Sequence, residues 1–417
     1  MSASSWQPVA LGEVLTARRD AVDVSAKSEY PNFGLFSFGR GVFAKPPIRG
    51  DTTSASTLFQ VQAGQFIYSR LFAFEGAFAT VPAEVDGWYV SNEYPTFDID
   101  SRRVLSEFLR LTICRPAVWK ELADMTVGMG HRRQRLQPDA LLAYEVSLPS
   151  LEEQKSIVAA VYTVDVALQC ANELRTRAVA FLHALREARL VDNGGWRSSP
   201  GWKRVQLADL CDVSLGFTKG RKLVGETRPL PYLRAVNVQE GFIILDDIAQ
   251  IEACDADLAR YALQTDDILL LEGGNTEHVG RAWIWDGSCE PCLHQNSTLR
   301  ARVRSASACH PRFVAWALGA SPARAFCFEE ANQTSNVAHL GLAGALSIPL
   351  PAPPISDQFA IVEELDIARA QLVAAERKLR SYQRVRSALV EGLVTGHMAV
   401  RDGNAVASAT AVEGLAV

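Results

Sequence analysis

Cys289 and Cys292 enclose two residues, His294 follows at once, and Cys309-His310 comes further along, so zinc ligation is the first chemistry to weigh. One such pair is weak by itself, and the second lacks the spacing of a zinc module. Ordinary reduced thiols are the expectation, with no metal bound. Gly216 to Lys222 (Gly-Phe-Thr-Lys-Gly-Arg-Lys) does not end in the Gly-Lys-Ser/Thr that holds a nucleotide phosphate. Pro138-Asp139 is followed by Glu145 but by no lysine two residues beyond, so the acids and lysine of a metal-dependent nuclease are not assembled. The Asn-Pro-Pro or Asp-Pro-Pro of an amino-methyltransferase is missing too. No catalytic residue is expected.

What remains is a set of basic and amide side chains between apolar runs. In the first part of the chain these are Tyr68-Ser69-Arg70, Ser91-Asn92 and the cluster His131, Arg132, Arg133, Gln134 and Arg135. Further on they are Lys219, Arg221, Lys222, Arg234, Asn237, Gln295 and Asn296 after His294, and Thr334 and Asn336 around Ser335. Arg, Asn and Gln carry the forked donors and acceptors that read base edges, while Lys and Ser suit phosphates. For any one of them the competing reading is a solvated surface. A net charge of −5 excludes a protein that coats nucleic acid by charge alone.

These residues need elements to position them, and the chain supplies the elements twice. Trp6-Gln7-Pro8-Val9-Ala10-Leu11-Gly12-Glu13 returns as Trp202-Lys203-Arg204-Val205-Gln206-Leu207-Ala208-Asp209. Leu148-Pro149-Ser150-Leu151-Glu152-Glu153-Gln154 leads to Ile157-Val158. Ala352-Pro353-Pro354-Ile355-Ser356-Asp357-Gln358 leads in the same way to Ile361-Val362. Two landmarks in register at nearly equal spacing indicate a tandem repeat. Between them lie short β-branched and aromatic runs broken by Gly, Pro, Asn and Asp, read as strands and turns.

Each second landmark opens a long helical run. Ile157, Val161, Leu168, Leu174, Phe181 and Leu185 recur at steps that keep one face apolar, as do Ile361, Leu365, Leu372, Leu379 and Leu389. Stripes of this length favour helix on helix, so these residues are expected to pair the two helices. The expected fold class is α+β: two strand-rich domains in tandem, separated by two long helices in an antiparallel coiled coil with a pseudo-twofold. The boundaries are residues 1–150 for the first domain, 151–191 for the first helix and 192–201 for a linker. Residues 202–352 form the second domain, 353–396 the second helix and 397–417 a disordered tail.

At 48% hydrophobic and 21% charged the composition is globular. No apolar run is expected to span a membrane, no leader is read at Met1 to Trp6, and eight scattered cysteines suit a reducing cytoplasm.

The paired openings and paired helices, covering nearly the whole chain, resemble the DNA specificity subunit of type I restriction-modification systems. Pro231 to Val238, Asp266-Asp267-Ile268-Leu269 and Leu389 to Gly396 are similar to recurrent segments of that family. The resemblance implies two target-recognition domains, each reading half of a split site on double-stranded DNA, and helices that dock two methyltransferase subunits. It implies a non-catalytic chain that binds no cofactor directly. S-adenosylmethionine, ATP and Mg would be used by the methyltransferase and the restriction/translocase subunits. A specificity subunit of a fused methyltransferase-nuclease without a translocase, and a coiled-coil protein-docking scaffold, are the alternatives.

Overall fold

The computed structural model describes residues 6–126, 134–223, 225–274, 278–334, 337–401 and 404–406. By its contacts the chain divides into two units, residues 1–170 with 379–417 and residues 171–378. The division falls inside both long helices, Leu151–Leu190 and Ile355–Val394, so each unit takes part of each.

In the first unit the entry strand Gln7–Ala10 pairs antiparallel with Glu145–Leu148, the strand that delivers the chain into the first long helix. A four-stranded antiparallel sheet runs in the order Leu15–Arg18, Thr96–Ile99, Phe66–Tyr68, Phe78–Thr80. Beside it lies a five-stranded sheet in which Glu29–Leu35 meets Tyr89–Val90 in parallel. The second unit repeats the plan. Lys203–Gln206 pairs with Pro349–Ala352, and a four-stranded sheet runs Cys211–Ser214, Thr298–Val303, Ile268–Leu271, Ala282–Ile284. There Arg228–Leu233 meets Leu293–His294 in parallel. The tandem repeat read from two landmarks therefore extends to the entry pair and the four-stranded sheet, while the second sheet differs, with five strands in the first unit and three in the second.

The glutamine of each helix opening is buried in its unit. Gln154 accepts the Leu105 N–H at 2.8 Å and donates to the carbonyls of Arg103 and Pro149 at 2.9 and 3.0 Å. Gln358 likewise accepts the His310 N–H at 2.8 Å and donates to the Ala308 and Pro353 carbonyls. A buried amide is tolerable only when its polar atoms are satisfied, and here each ties a helix start to the loop before a short helix pair.

The long helices pair antiparallel inside each unit. In the first, Ile157 and Val161 share a core with Leu389, Val390, Leu393 and Val394, and Asp165 pairs with Arg386. In the second, Leu182 and Leu190 share a core with Ile361, Leu365 and Ala368, with Leu372 packed against it, and Arg189 bonds Glu364 at 2.5 Å. Two of the residues expected to pair do not. Leu174 and Phe181 are 50% and 53% exposed, whereas Arg175 is partly buried and Leu182 is buried. The alternation of four and three set by Ile157, Val161, Val164, Leu168 and Ala171 continues to Arg175, Ala178, Leu182 and Leu185. The bulkier neighbours Leu174 and Phe181 each fall one residue early and face outward.

Three further expectations change. The segment read as a linker starts as a hairpin, Val191–Asp192 with Gly195–Trp196, turned by Asn193 and Gly194 at φ 49° and 78°, the conformation a two-residue hairpin turn requires. The segment read as a tail begins with strands Ala399–Arg401 and Asn404–Val406, paired antiparallel. Residues 407–417 lie outside the described ones. The first long helix also contains one stretch long and apolar enough, by length and composition alone, to cross a membrane, with hydropathy 1.3. Its apolar content is spread over the heptad face and the outward-facing Tyr162, Val166, Leu174 and Phe181.

Candidate nucleic-acid interface

The central strand of each four-stranded sheet aligns the two units residue by residue. Phe97 pairs with Ala17 on one side and Phe66 on the other, and Ala301 pairs with Val213 and Ile268 in the same way. Counting back equally from these two residues leads to Asn92 and Asn296. Each sits in a turn closed by a backbone bond, Tyr94 N–H to Ser91 O at 3.0 Å and Thr298 N–H to Gln295 O at 2.8 Å. A second match follows: the Leu136 N–H donates to Arg70 O at 3.0 Å and the Leu340 N–H to Glu272 O at 2.8 Å. Leu136 and Leu340 thus occupy equivalent places, with Arg135 just ahead of the first and His339 just ahead of the second.

In the first unit the turn joins a cleft of about 400 Å³ whose walls include Arg19, Phe59, Arg70, Asn92, Gln137 and Asp139. The Arg19 guanidinium lies 4.5 Å from the Phe59 ring centroid. Arg70 donates to Gln137 Oε1 at 2.7 Å, and Arg135 grips Glu93 at 3.0 and 3.1 Å. Two expected arginines, Arg70 and Arg135, are brought to one edge, with Arg135 already neutralised. His131, Arg132 and Arg133 lie outside the described residues. Tyr68 and Ser69 are interior. The Tyr68 hydroxyl donates to Leu136 O at 3.0 Å, and burial pushes its phenol well above the usual range. Arg19 escaped the sequence reading, where the Arg18-Arg19 pair was the available signal, and Asp139 was weighed there only as a nuclease acid.

In the second unit Phe217 N–H donates to His294 O at 2.7 Å and Asn296 N–H to Phe217 O at 3.1 Å, which holds the loop carrying Lys219 and Lys222 against the Gln295-Asn296 turn. The approach is so close that a Cβ at Gly216 would sit 2.4 Å from the His294 and Gln295 oxygens. Lys219 and Lys222 are exposed, as is Asn296, while Gln295 is half-buried. His294 is buried and donates from Nδ1 to Thr298 O at 2.7 Å across the turn; burial lowers its pKa to about 4, so the ring is neutral near pH 7. The hairpin of Asn332–Thr334 with Val337–His339 continues onto the short strand Gly273–Gly274. Thr334 lies in that hairpin, and Asn336 is outside the described residues.

Three expected contacts serve the fold instead. Asn237 is buried, accepts the Arg234 N–H at 2.8 Å and donates to the carbonyls of Ile244 and Asp247 at 3.0 Å, leaving no polar atom for a ligand. Arg234 pairs with Asp247 at 2.6 Å. Arg221 pairs with the buried Asp257 and lies over the Phe217 and Tyr261 rings at 4.7 and 5.6 Å. Cys292 and Cys309 belong to separate core clusters, and among the described residues no three metal-ligating side chains converge.

No family model and no curated protein matches the sequence. Solved structures do. A chain from a structure of complex assembly and conformational transition in the type I R-M system aligns at 18% identity and TM-score 0.59, over 94% of this chain and 98% of its own. The type I restriction-modification S subunit from M. genitalium aligns at 13% identity and TM-score 0.50, over 93% and 96%. The fold is that of a type I specificity subunit. The HsdS subunit from Thermoanaerobacter tengcongensis aligns at 17% identity over 94% and 97%, with a TM-score of 0.43. In the specificity-subunit fold seen here, both units present a polar edge built from the Asn turn and nearby basic side chains.

Proposed function

We propose that this chain is the DNA-specificity subunit of a type I restriction-modification complex. It reads a bipartite site on double-stranded DNA, one half through each strand-rich unit, and directs adenine methylation or cleavage by partner subunits. The observation that carries this reading is the duplicated polar edge, present once in each unit at equivalent places and borne by a specificity-subunit fold. The chain performs no chemistry itself. Two methyltransferase subunits use S-adenosylmethionine, and a restriction/translocase subunit uses ATP and Mg, in the cytoplasm and with no membrane.

The outward apolar side chains of the first long helix, Tyr162 and Val166 in one unit and Leu174 and Phe181 in the other, suit docking of such partners. The partners also add phosphate contacts to the few that a chain of net charge −5 makes through its local basic side chains.

Mapping methylated adenines in DNA from cells with and without the gene tests the proposal. A split motif that disappears with the gene is expected. Unchanged methylation in an otherwise active system refutes it. A neighbouring gene for a separate translocase, or its absence, distinguishes the complete type I system from a fused methyltransferase-nuclease.

A further inference from the structure

We infer that Asn92 and Asn296 are matched base-reading residues, one for each half of the split site. The inference rests on the DNA-specificity reading and adds to it the side chain that discriminates.

The two asparagines hold the same place in the two units by strand register, although little of the intervening sequence agrees. Both are exposed, and among the described residues neither side-chain amide has a hydrogen-bond partner. Nearby polar side chains, by contrast, are engaged: Arg70 by Gln137, Arg135 by Glu93, His294 by Thr298. The backbone under each asparagine is fixed by the turn bonds, and Asn296 is fixed further by Phe217. A free amide on a rigid turn suits readout, because little is lost in ordering it.

The surroundings favour a base edge over a phosphate. In the first unit Asn92 shares its cleft with Arg18, Arg19 and Arg70, which suit phosphates, and with the Asp139 carboxylate, which accepts from an exocyclic base amine, so the uncharged amide is left for the base edge. In the second, Lys219 and Lys222 on the adjoining loop supply phosphate contacts beside Asn296. An amide offers one acceptor and two donors, the complement of the N6 amine and N7 of adenine in the major groove.

The test places wild type, Asn92→Ala and Asn296→Ala, each with its partner methyltransferase genes, in a host free of adenine methylation, and maps methylated motifs by single-molecule sequencing. Asn92→Ala should relax one base position in one half only, and Asn296→Ala one position in the other half only. Discrimination at that position should fall about 5- to 150-fold. The unaltered half of the motif reports folding in the same molecule. Asn92→Asp and Asn296→Asp, which convert the amide into an acceptor alone, should change the preferred base.

Relaxation of both halves by one substitution overturns the inference, as does an intact motif in all four variants. Loss of all methylation by a variant that melts with wild type also overturns it, since a lost base contact leaves phosphate binding in place. If wild type itself writes no split motif, the failure lies in the DNA-specificity reading beneath it.

Discussion

The Arg386 guanidinium meets the Asp165 carboxylate at the helix seam of the first unit, with one bond at 3.2 Å, in the heptad place between Tyr382 and Leu389 where an aliphatic side chain would otherwise fit. A charged pair in an apolar stripe costs desolvation and is satisfied only when the two helices are in one register. Both side chains remain about a third exposed, so the pair itself stabilises modestly. Asp165→Ala should cost on the order of 1 kcal/mol. Replacing both with leucine should recover that loss while permitting register slip. Urea unfolding of the two single variants and the double measures the coupling; a double variant as unstable as Asp165→Ala alone would contradict this role.

The corrected seam makes a sharp contrast between neighbours. Leu182→Ala removes a buried side chain from the second unit's core and should cost about 2–4 kcal/mol. Leu174→Ser and Phe181→Ser, at exposed positions, should change stability by no more than about 0.5 kcal/mol and weaken partner assembly instead. Thermal melts and co-purification with the methyltransferase separate the two effects.

Gln154→Ala and Gln358→Ala should each destabilise the unit that holds them. Either change orphans a buried N–H and two carbonyls, at roughly 1–3 kcal/mol for each group that water cannot reach. Hydrogen exchange should show faster opening of the Leu105 amide in the first case and of the His310 amide in the second. Retained protection would mean that the glutamine anchor is dispensable.

His294 ties stability to pH. Its folded pKa of about 4 lies below the ordinary 6.5, so the folded state binds fewer protons than the unfolded state between those values. The contribution is complete above pH 6.5 and is lost as pH falls towards 4, by on the order of 3 kcal/mol across that window. Melting temperature against pH should fall on acidification, and His294→Gln should flatten that part of the curve. An unchanged slope in the variant would assign the acid sensitivity elsewhere.

The duplication, the two long helices and the glutamine at each helix start were legible in the sequence because they are local or repeated. A 3.5-residue period and a recurring opening need no knowledge of distant contacts. Arg70, Arg135, Gln295 and Asn296, singled out by residue chemistry alone, lie together on the polar edges. Which of these are free was decided by the tertiary structure. Asn237 and Arg221 look as suitable as Asn296 in a string of letters, but the loop fold saturates Asn237 with Arg234, Ile244 and Asp247, and the distant, buried Asp257 pairs with Arg221.

The choice between Leu174 and Arg175, or Phe181 and Leu182, likewise depended on a seam whose phase is set by packing over many turns, not by the size of one residue. The equivalence of Asn92 and Asn296 appears only once strand register is known. Insertions between the landmarks move these residues along the chain, whereas the turn bonds and the paired strands that follow them hold them at one place in the fold.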